Sequence, residues 1–295
     1  MGILDKFKSM LNSNRLDVSA RFELDRHSTS GTMSDFHLAK EIATGKVYGL
    51  KFLDAEKLEA FESRFTGLNK PAEGEIAMSM DHPKVVHTYE CGKTTSNKPY
   101  ILMEYIEGTG LNTLIQEESE ILKGNELSLI LQMAEAIESV HKSGFIHRDI
   151  CPRNFIVSPD GKKVTLIDFG LTIPDQPEFR QPGNRTGTPL YMAPEIVRRR
   201  ATDKRVDVFA LGVTAFRLCT GQHPWSSGAD TTGQAALQHD TAKPKQILDL
   251  EPNLDPRLAK AIMQCLESDP QKRPESPEQF ARQLHSVKST LVDGE

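Results

Sequence analysis

Three polar side chains carry the chemistry this sequence can do. The stretch HRDICPRN, His147 to Asn154, sets Asp149 and Asn154 five residues apart, and Asp168 opens a DFG triplet further on. A carboxylate at Asp149 can accept the proton of an attacking hydroxyl. Asn154 and Asp168 offer one neutral and one anionic oxygen. Mg²⁺ takes few protein oxygens and shares itself with phosphates, so such a pair suits it. The expectation is a phosphoryl-transfer centre with the ion seated on Asn154 and Asp168.

Those side chains need elements to position them. Phe155–Val157 reads as a short strand, SPDG as a turn, and Val164 to Ile167 as a strand returning. In a hairpin, the residue before the outgoing strand and the residue after the returning one lie at the same end. Asn154 and Asp168 are those residues, with Asp149 near the same mouth. Upstream, RFELDRH, DFHLAKEI and KVYGLKFL alternate and are rich in strand formers, with the turn signal ATGK between the last two. They predict an antiparallel meander over 21–53. DAEKLEAFESRF reads as a helix, and Pro71 suits the first turn of a second one within GLNKPAEGEIAMSM. VVHTYEC and PYILMEYI read as two more strands. After Gly110 the pattern turns helical. LSLILQMAEAIESVHKSG has apolar residues at helical spacing, RVDVFALGVTAFRLCTG reads as a buried helix, and LAKAIMQCLESD and PEQFARQLHSVKSTL read as amphipathic ones.

With these elements in place, the chain resembles the eukaryotic-type (Hanks-type) protein kinases of the serine/threonine class. HRDICPRN is similar to their catalytic loop and Asp168–Gly170 to their metal-binding DFG. GTPLYMAPE, Gly187 to Glu195, is similar to the substrate-facing end of their activation segment. DVFALGV resembles the buried helix under the catalytic loop, and DPQKRP places Arg273 where the family pairs an arginine with Glu195. These five motifs in order make the resemblance specific.

The resemblance implies an α+β, bilobal fold. A small antiparallel sheet with one main helix forms the N-lobe, and a larger, mostly helical part forms the C-lobe. The implied organisation is an N-terminal extension over 1–17, the N-lobe over 18–105, the C-lobe over 106–290 and a tail over 291–295. The implied cofactors are ATP and Mg²⁺, and the implied partner is a protein with a Ser or Thr acceptor. Asp149 is then the catalytic base. Lys51 positions phosphates, with Glu73 as its helix partner and Glu75 as the alternative. Gly31, Phe36, Gly49, Met103, Glu104, Ile106 and Ile156 surround the nucleotide, with Met103 as gatekeeper and Glu104 and Ile106 as hinge residues. Thr188 bridges to Asp149.

The pattern breaks in two places. Where the family has GxGxxGxV, this chain has TSGTMSDF, Thr29 to Phe36, and only Gly31 survives. Glycine serves there because its backbone can adopt φ > 0 and approach phosphate closely. A non-glycine residue forced into that region costs roughly 1–2 kcal/mol. The hydroxyls of Thr29, Ser30, Thr32 and Ser34 are alternative donors. The second break is Cys151, which stands where the serine/threonine class carries a lysine on the γ-phosphate. Losing a charged hydrogen bond of roughly 1.5–3 kcal/mol slows transfer by about 10- to 150-fold. Arg153 restores part of that charge in this reading, and the tyrosine class has an arginine there. Arg148, beside Asp149, is expected to pair with Asp175 or Glu178 rather than with a phosphorylated loop.

Composition narrows the alternatives. The chain has 295 residues, 38% hydrophobic and 26% charged, an ordinary globular mix. Lys plus Arg total 36 against 41 for Asp plus Glu, a balance of −5 that gives no general pull toward nucleic acid. Four scattered cysteines without CxxC spacing speak for a reducing, cytoplasmic setting. In MGILDKFKSML, residues Ile3, Leu4, Phe7, Met10 and Leu11 share one helical face. That face either packs on the body or meets a membrane surface or a partner. Two competitors to the kinase reading are a pseudokinase, a nucleotide-binding or scaffolding module on the same fold, and a small-molecule kinase of related shape.

Overall fold

The alternating stretches at the front of the chain form strands, and their registers fix which side chains share a face. The computed structural model describes residues 15–30, 34–183, 186–225 and 235–287. The chain divides into two units, residues 1–106 with 168–170, and residues 107–167 with 171–295. In the first unit, β1 (Phe22–Ser30), β2 (Ser34–Glu41), β3 (Val47–Leu53), β4 (Thr88–Lys93) and β5 (Pro99–Glu104) make one antiparallel sheet in the order β1-β2-β3-β5-β4. Successive strand residues point to opposite faces. Leu50 and Phe52 therefore join Phe22, Ala39, Tyr100 and Leu102 in a buried cluster, while Lys51 is turned to the other face.

Beyond a single turn at Val18–Arg21, two helices of this unit bear on the site. α1 (Ala55–Glu62) starts where Asp54 accepts from the Glu56 and Lys57 amides, both at 3.1 Å, supplying acceptors for otherwise orphaned N–H groups. α2 (Glu73–Met78) begins after Ala72, so Pro71 lies before the cap and not in the first turn as expected. The Glu75 carboxylate takes the Ala72 amide instead, at 2.9 Å. Gly74 interrupts this helix at a propensity cost of about 1 kcal/mol, and packing explains it. A Cβ there would lie 2.4 Å from Cys91 Cβ, so α2 reaches β4 only because position 74 has none.

The second unit is mostly helical, with α3 (Leu111–Gln116), α4 (Glu126–Lys142), α5 (Arg205–Thr220), α6 (Pro256–Cys265) and α7 (Pro277–Gln283). β6 (Thr109–Gly110) joins the hairpin of β8 (Phe155–Val157) and β9 (Val164–Leu166), and β7 (Phe145–Ile146) pairs with β10 (Ile173–Pro174). The two-residue strands β6, β7 and β10 are too short to leave a period-2 pattern. α5 is buried nearly all round, including Phe209, Leu211, Val213 and Phe216. At roughly 1.5–3 kcal/mol for each such side chain, this helix is an anchor on which loops can be held.

Candidate active site

In the first unit a buried cation sits between two carboxylates. Lys51 Nζ lies 2.5 Å from Glu73 Oε1 and 2.8 Å from Asp168 Oδ1. Burial works against the Lys51 ammonium, but the facing charges of Asp168 and Glu73 outweigh it and hold its pKa above the ordinary lysine range. Burial raises the Glu73 carboxyl, and Lys51 pulls it back only in part. Glu75, the alternative partner, is occupied by the start of its own helix. Asp168 Oδ1 also accepts from the Gly170 amide at 2.9 Å.

Around Lys51 the sheet places several of the residues expected near a nucleotide. Gly49 and Lys51 follow one another on the same face of β3, opposite Met103 and Ile101 of β5. Phe36 is Lys51's cross-strand neighbour on β2. Its ring folds over Gly49, where a Cβ would stand 2.8 Å from Phe36 Cε2 and 3.1 Å from Met103 Cγ. The large Phe36 and the absent side chain at 49 are therefore complementary. Met103 is half-buried, Glu104 is exposed at the end of β5, and Ile106 follows two residues on. Gly31 and Thr32 lie outside the described residues, as do positions 1–14 and the tail.

The second unit holds the loop of Asp149. Asp149 Oδ1 accepts from both the Thr188 amide and the Thr188 hydroxyl, each at 2.8 Å. The Asn154 amide group donates to the Asp149 carbonyl at 2.7 Å and to Asp149 Oδ2 at 3.1 Å. The side chain of Asp149 is thus gripped from two directions, and Asn154 is engaged through nitrogen, which turns its oxygen elsewhere. The Asn154 carbonyl accepts from the Ile167 amide at 2.9 Å, so the hairpin register sets Asn154 opposite the residue preceding Asp168. Ile156 is half-buried on β8.

Backbone geometry under the loop is costly and anchored. Arg148 has φ +67°, a left-handed conformation that disfavours a residue with a side chain. The anchor is Asp207 on α5, fully buried, whose oxygens accept from the amides of His147 and Arg148 at 2.8 Å each and meet His141 Nε2 at 2.8 Å. Burial pushes the Asp207 carboxyl up, but His141 and these donors hold it below its ordinary value. A second buried pair fixes the segment after Thr188. Arg273 grips Glu195 with two bonds of 2.7 and 2.9 Å and lies over the Phe209 ring.

The expected Arg148 pairing is corrected. Asp175 is bound by Arg180, five residues along, and among the described residues neither Asp175 nor Glu178 pairs with Arg148. Local chain proximity supplied Asp175 with a nearer arginine.

Cys151 is buried beside Thr188, its Sγ 3.7 Å from the hydroxyl. Burial, helped by the Asp149 charge, pushes its thiol up to about 12, which keeps it in the protonated, weakly nucleophilic form. The Arg153 side chain is exposed.

Three contacts in this unit were not foreseen from sequence. Arg217 on α5 donates to Tyr191 Oη at 2.7 Å and to Asn112 Oδ1 at 2.8 Å. His239 Nδ1 meets the Met192 carbonyl at 2.8 Å, in a nest with the Trp225 and Phe209 rings. His141 completes Asp207. All three join residues tens of positions apart, and no local spacing signals them.

Comparison with known proteins agrees with the fold. The protein kinase domain family model matches residues 22–285. The chain belongs to that family, with its antiparallel strand unit and its helical unit. It is similar to the serine/threonine-protein kinase pkn3 of Myxococcus xanthus, 28% identical over 282 residues, covering 92% of this chain and 50% of that protein. Serine/threonine-protein kinase pkn2 of the same organism is 28% identical over 292 residues, covering 96% and 34%. Serine/threonine-protein kinase PknB of Mycobacterium leprae is 27% identical over 279 residues, covering 92% and 44%. The chain thus spans half or less of the length of these relatives. No helix among the described residues is long and apolar enough to cross a membrane.

Proposed function

We propose that this chain is an ATP- and Mg²⁺-dependent protein serine/threonine kinase domain. The observation that carries the proposal is the loop geometry at Asp149. One oxygen receives both donors of Thr188, and the other receives the Asn154 amide. A carboxylate fixed in this way is preorganised to orient an acceptor hydroxyl and take its proton, and positioning supplies most of the rate in this chemistry.

The donor set fits the cofactors. Asn154 and Asp168 offer the oxygens that Mg²⁺ takes, and the Lys51 ammonium, held by Glu73, offers a charge for phosphate. When bound, ATP supplies the phosphoryl group and Mg²⁺ neutralises its developing charge. In this proposal Phe36, Gly49 and Met103 flank the base, as do Ile156 and the hinge residues Glu104 and Ile106. Gly31 belongs to the loop over the phosphates. Arg153 keeps positive charge beside the loop that Cys151 leaves without a lysine. The substrate is a protein with a Ser or Thr acceptor, and a cytoplasmic setting is favoured by four free cysteines.

The test is transfer of radiolabelled γ-phosphate to a generic protein by the purified chain with Mg²⁺, beside Asp168→Ala. Transfer that vanishes in the variant supports the kinase. Nucleotide binding without transfer in either protein would make the chain a pseudokinase scaffold.

A further inference from the structure

The whole chain is acidic, with 36 basic against 41 acidic residues. The ground beside Asp149 is not. Tyr191 lies three residues past Thr188, and it lines one recess with Asp149, Thr188, Ile150 and Met192. Its hydroxyl accepts from Arg217 Nη1 at 2.7 Å. Arg217 also donates to the neutral amide oxygen of Asn112, at 2.8 Å. Burial raises the Tyr191 phenol to about 12, while the charge and hydrogen bond of Arg217 pull against that rise.

Arg153 belongs to the short turn Pro152–Asn154 that carries Asn154. It stands between Cys151, whose sulfur faces Thr188, and Asn154, which holds Asp149. Its side chain is exposed, and Arg217 is half-buried. Among the described residues no carboxylate forms a salt bridge with either guanidinium. Other arginines of this unit are compensated: Arg180 by Asp175, Arg198 by Asp240, Arg205 by Asp203 and Arg273 by Glu195. Arg217, held on the Tyr191 that lines the recess, and Arg153, in the turn beside Asn154, are two cations without a carboxylate partner and an attractive site for an anion, since a guanidinium matches a carboxylate or a phosphate in shape.

We infer that Arg153 and Arg217 select acceptor peptides carrying an acidic side chain close to the phosphorylated hydroxyl. The inference rests on the kinase reading and names its substrate class. Arg217, already held by Tyr191 and Asn112, is the preorganised half of the pair, and exposed Arg153 is the adaptable half. Asn112 and Tyr191 act through Arg217 as positioning residues. Long-range repulsion between an acidic protein and acidic substrates is offset locally by this pair.

The experiment compares peptides that share one threonine and differ by Glu, Gln or Lys placed in turn at each flanking position. The readout is the ratio of kcat/KM for the Glu peptide over the Lys peptide, which does not depend on the absolute rate. The wild type is expected to favour Glu by about tenfold or more at its best position, mainly through KM. Arg217→Glu and Arg153→Glu are each expected to lower or invert that ratio, and Arg217→Lys to keep most of it. Arg153 is exposed, so its variant keeps the test usable if Arg217→Glu does not fold. Equal use of Glu and Lys peptides by the wild type, or a ratio unmoved by both Glu variants, overturns the inference.

Fluorescence anisotropy of the labelled Glu and Lys peptides reads the same preference without turnover. A chain that transfers no phosphate yet binds the Glu peptide in an Arg217-dependent way would defeat the kinase reading alone. One that transfers phosphate with no charge preference would defeat this inference alone.

Discussion

The two units solve one problem, holding a carboxylate in place, with opposite means. In the strand unit Asp168 is held by full charge, with Lys51 Nζ at 2.8 Å and that lysine tied in turn to Glu73. In the helical unit Asp149 is held by neutral donors from Thr188 and Asn154, and the lysine its family would supply is the buried Cys151. The contrast teaches where each site is vulnerable. A buried ion pair loses heavily when one partner is removed, because the other charge is stranded. A neutral hydrogen-bond cradle loses only about 0.5–1.5 kcal/mol per bond, so its chemistry resides in the aspartate itself.

The sharpest way to break the comparison is Asp149→Asn. Removing the proposed general base is expected to lower kcat by about 10²–10⁴-fold with the fold intact, measured by steady-state kinetics beside thermal melting. Parallel loss of melting temperature would show the loop to be structural instead.

Glu73→Gln should do the reverse and act through the ion cluster. Breaking a buried pair costs roughly 3–5 kcal/mol. Asp168 remains beside Lys51, so denaturant melting is expected to show a loss at or below the bottom of that range, together with weaker nucleotide binding. An unchanged midpoint would mean that the pair contributes nothing.

The neutral side of the comparison has its own pH signature. Burial lowers His239 from 6.5 to about 4, with the Met192 carbonyl opposing only in part. The unfolded chain therefore takes up the proton first on acidification. Stability from this group is complete above about pH 6.5 and is lost as pH falls toward about 4, by up to about 3 kcal/mol. His223, also lowered to about 4 by burial, adds in the same direction. His239→Gln should flatten the slope of unfolding midpoint against pH in that window. Equal slopes would refute the assignment.

The smallest expected effect concerns the missing cation. Cys151→Lys is predicted to raise kcat by about tenfold, the low end for a charged hydrogen bond, because the native side chain is fully packed. No gain in single-turnover rate would mean that Arg153 already supplies that charge.

How far these features were legible follows from their range in sequence. Lys51, Asp149, Asn154 and Asp168 lie in short motifs, and the β8–β9 hairpin is written in SPDG and its flanking apolar runs. The strand meander and the buried α5 are likewise carried by period and composition. Pro71 was misplaced because Glu75 could cap from inside the helix, which a proline rule does not see. Arg148's partner was misassigned because charge alone cannot rank an acid already claimed by Arg180. Gly74 looked like a weakness and is instead a contact with Cys91, which only the packed structure reveals. Arg217 on Tyr191 and His239 on Met192 join distant segments that no spacing rule links.

The central claim is that phosphoryl transfer requires both the charged cluster of the strand unit and the neutral cradle of the helical unit. It is tested most directly by Mg²⁺-dependent γ-phosphate transfer in wild type, Asp149→Asn, Asp168→Ala and the double variant. Groups that act as a unit are strongly non-additive, so the double variant is predicted to be hardly slower than the slower single one. Transfer that survives both substitutions at the wild-type rate would contradict the account.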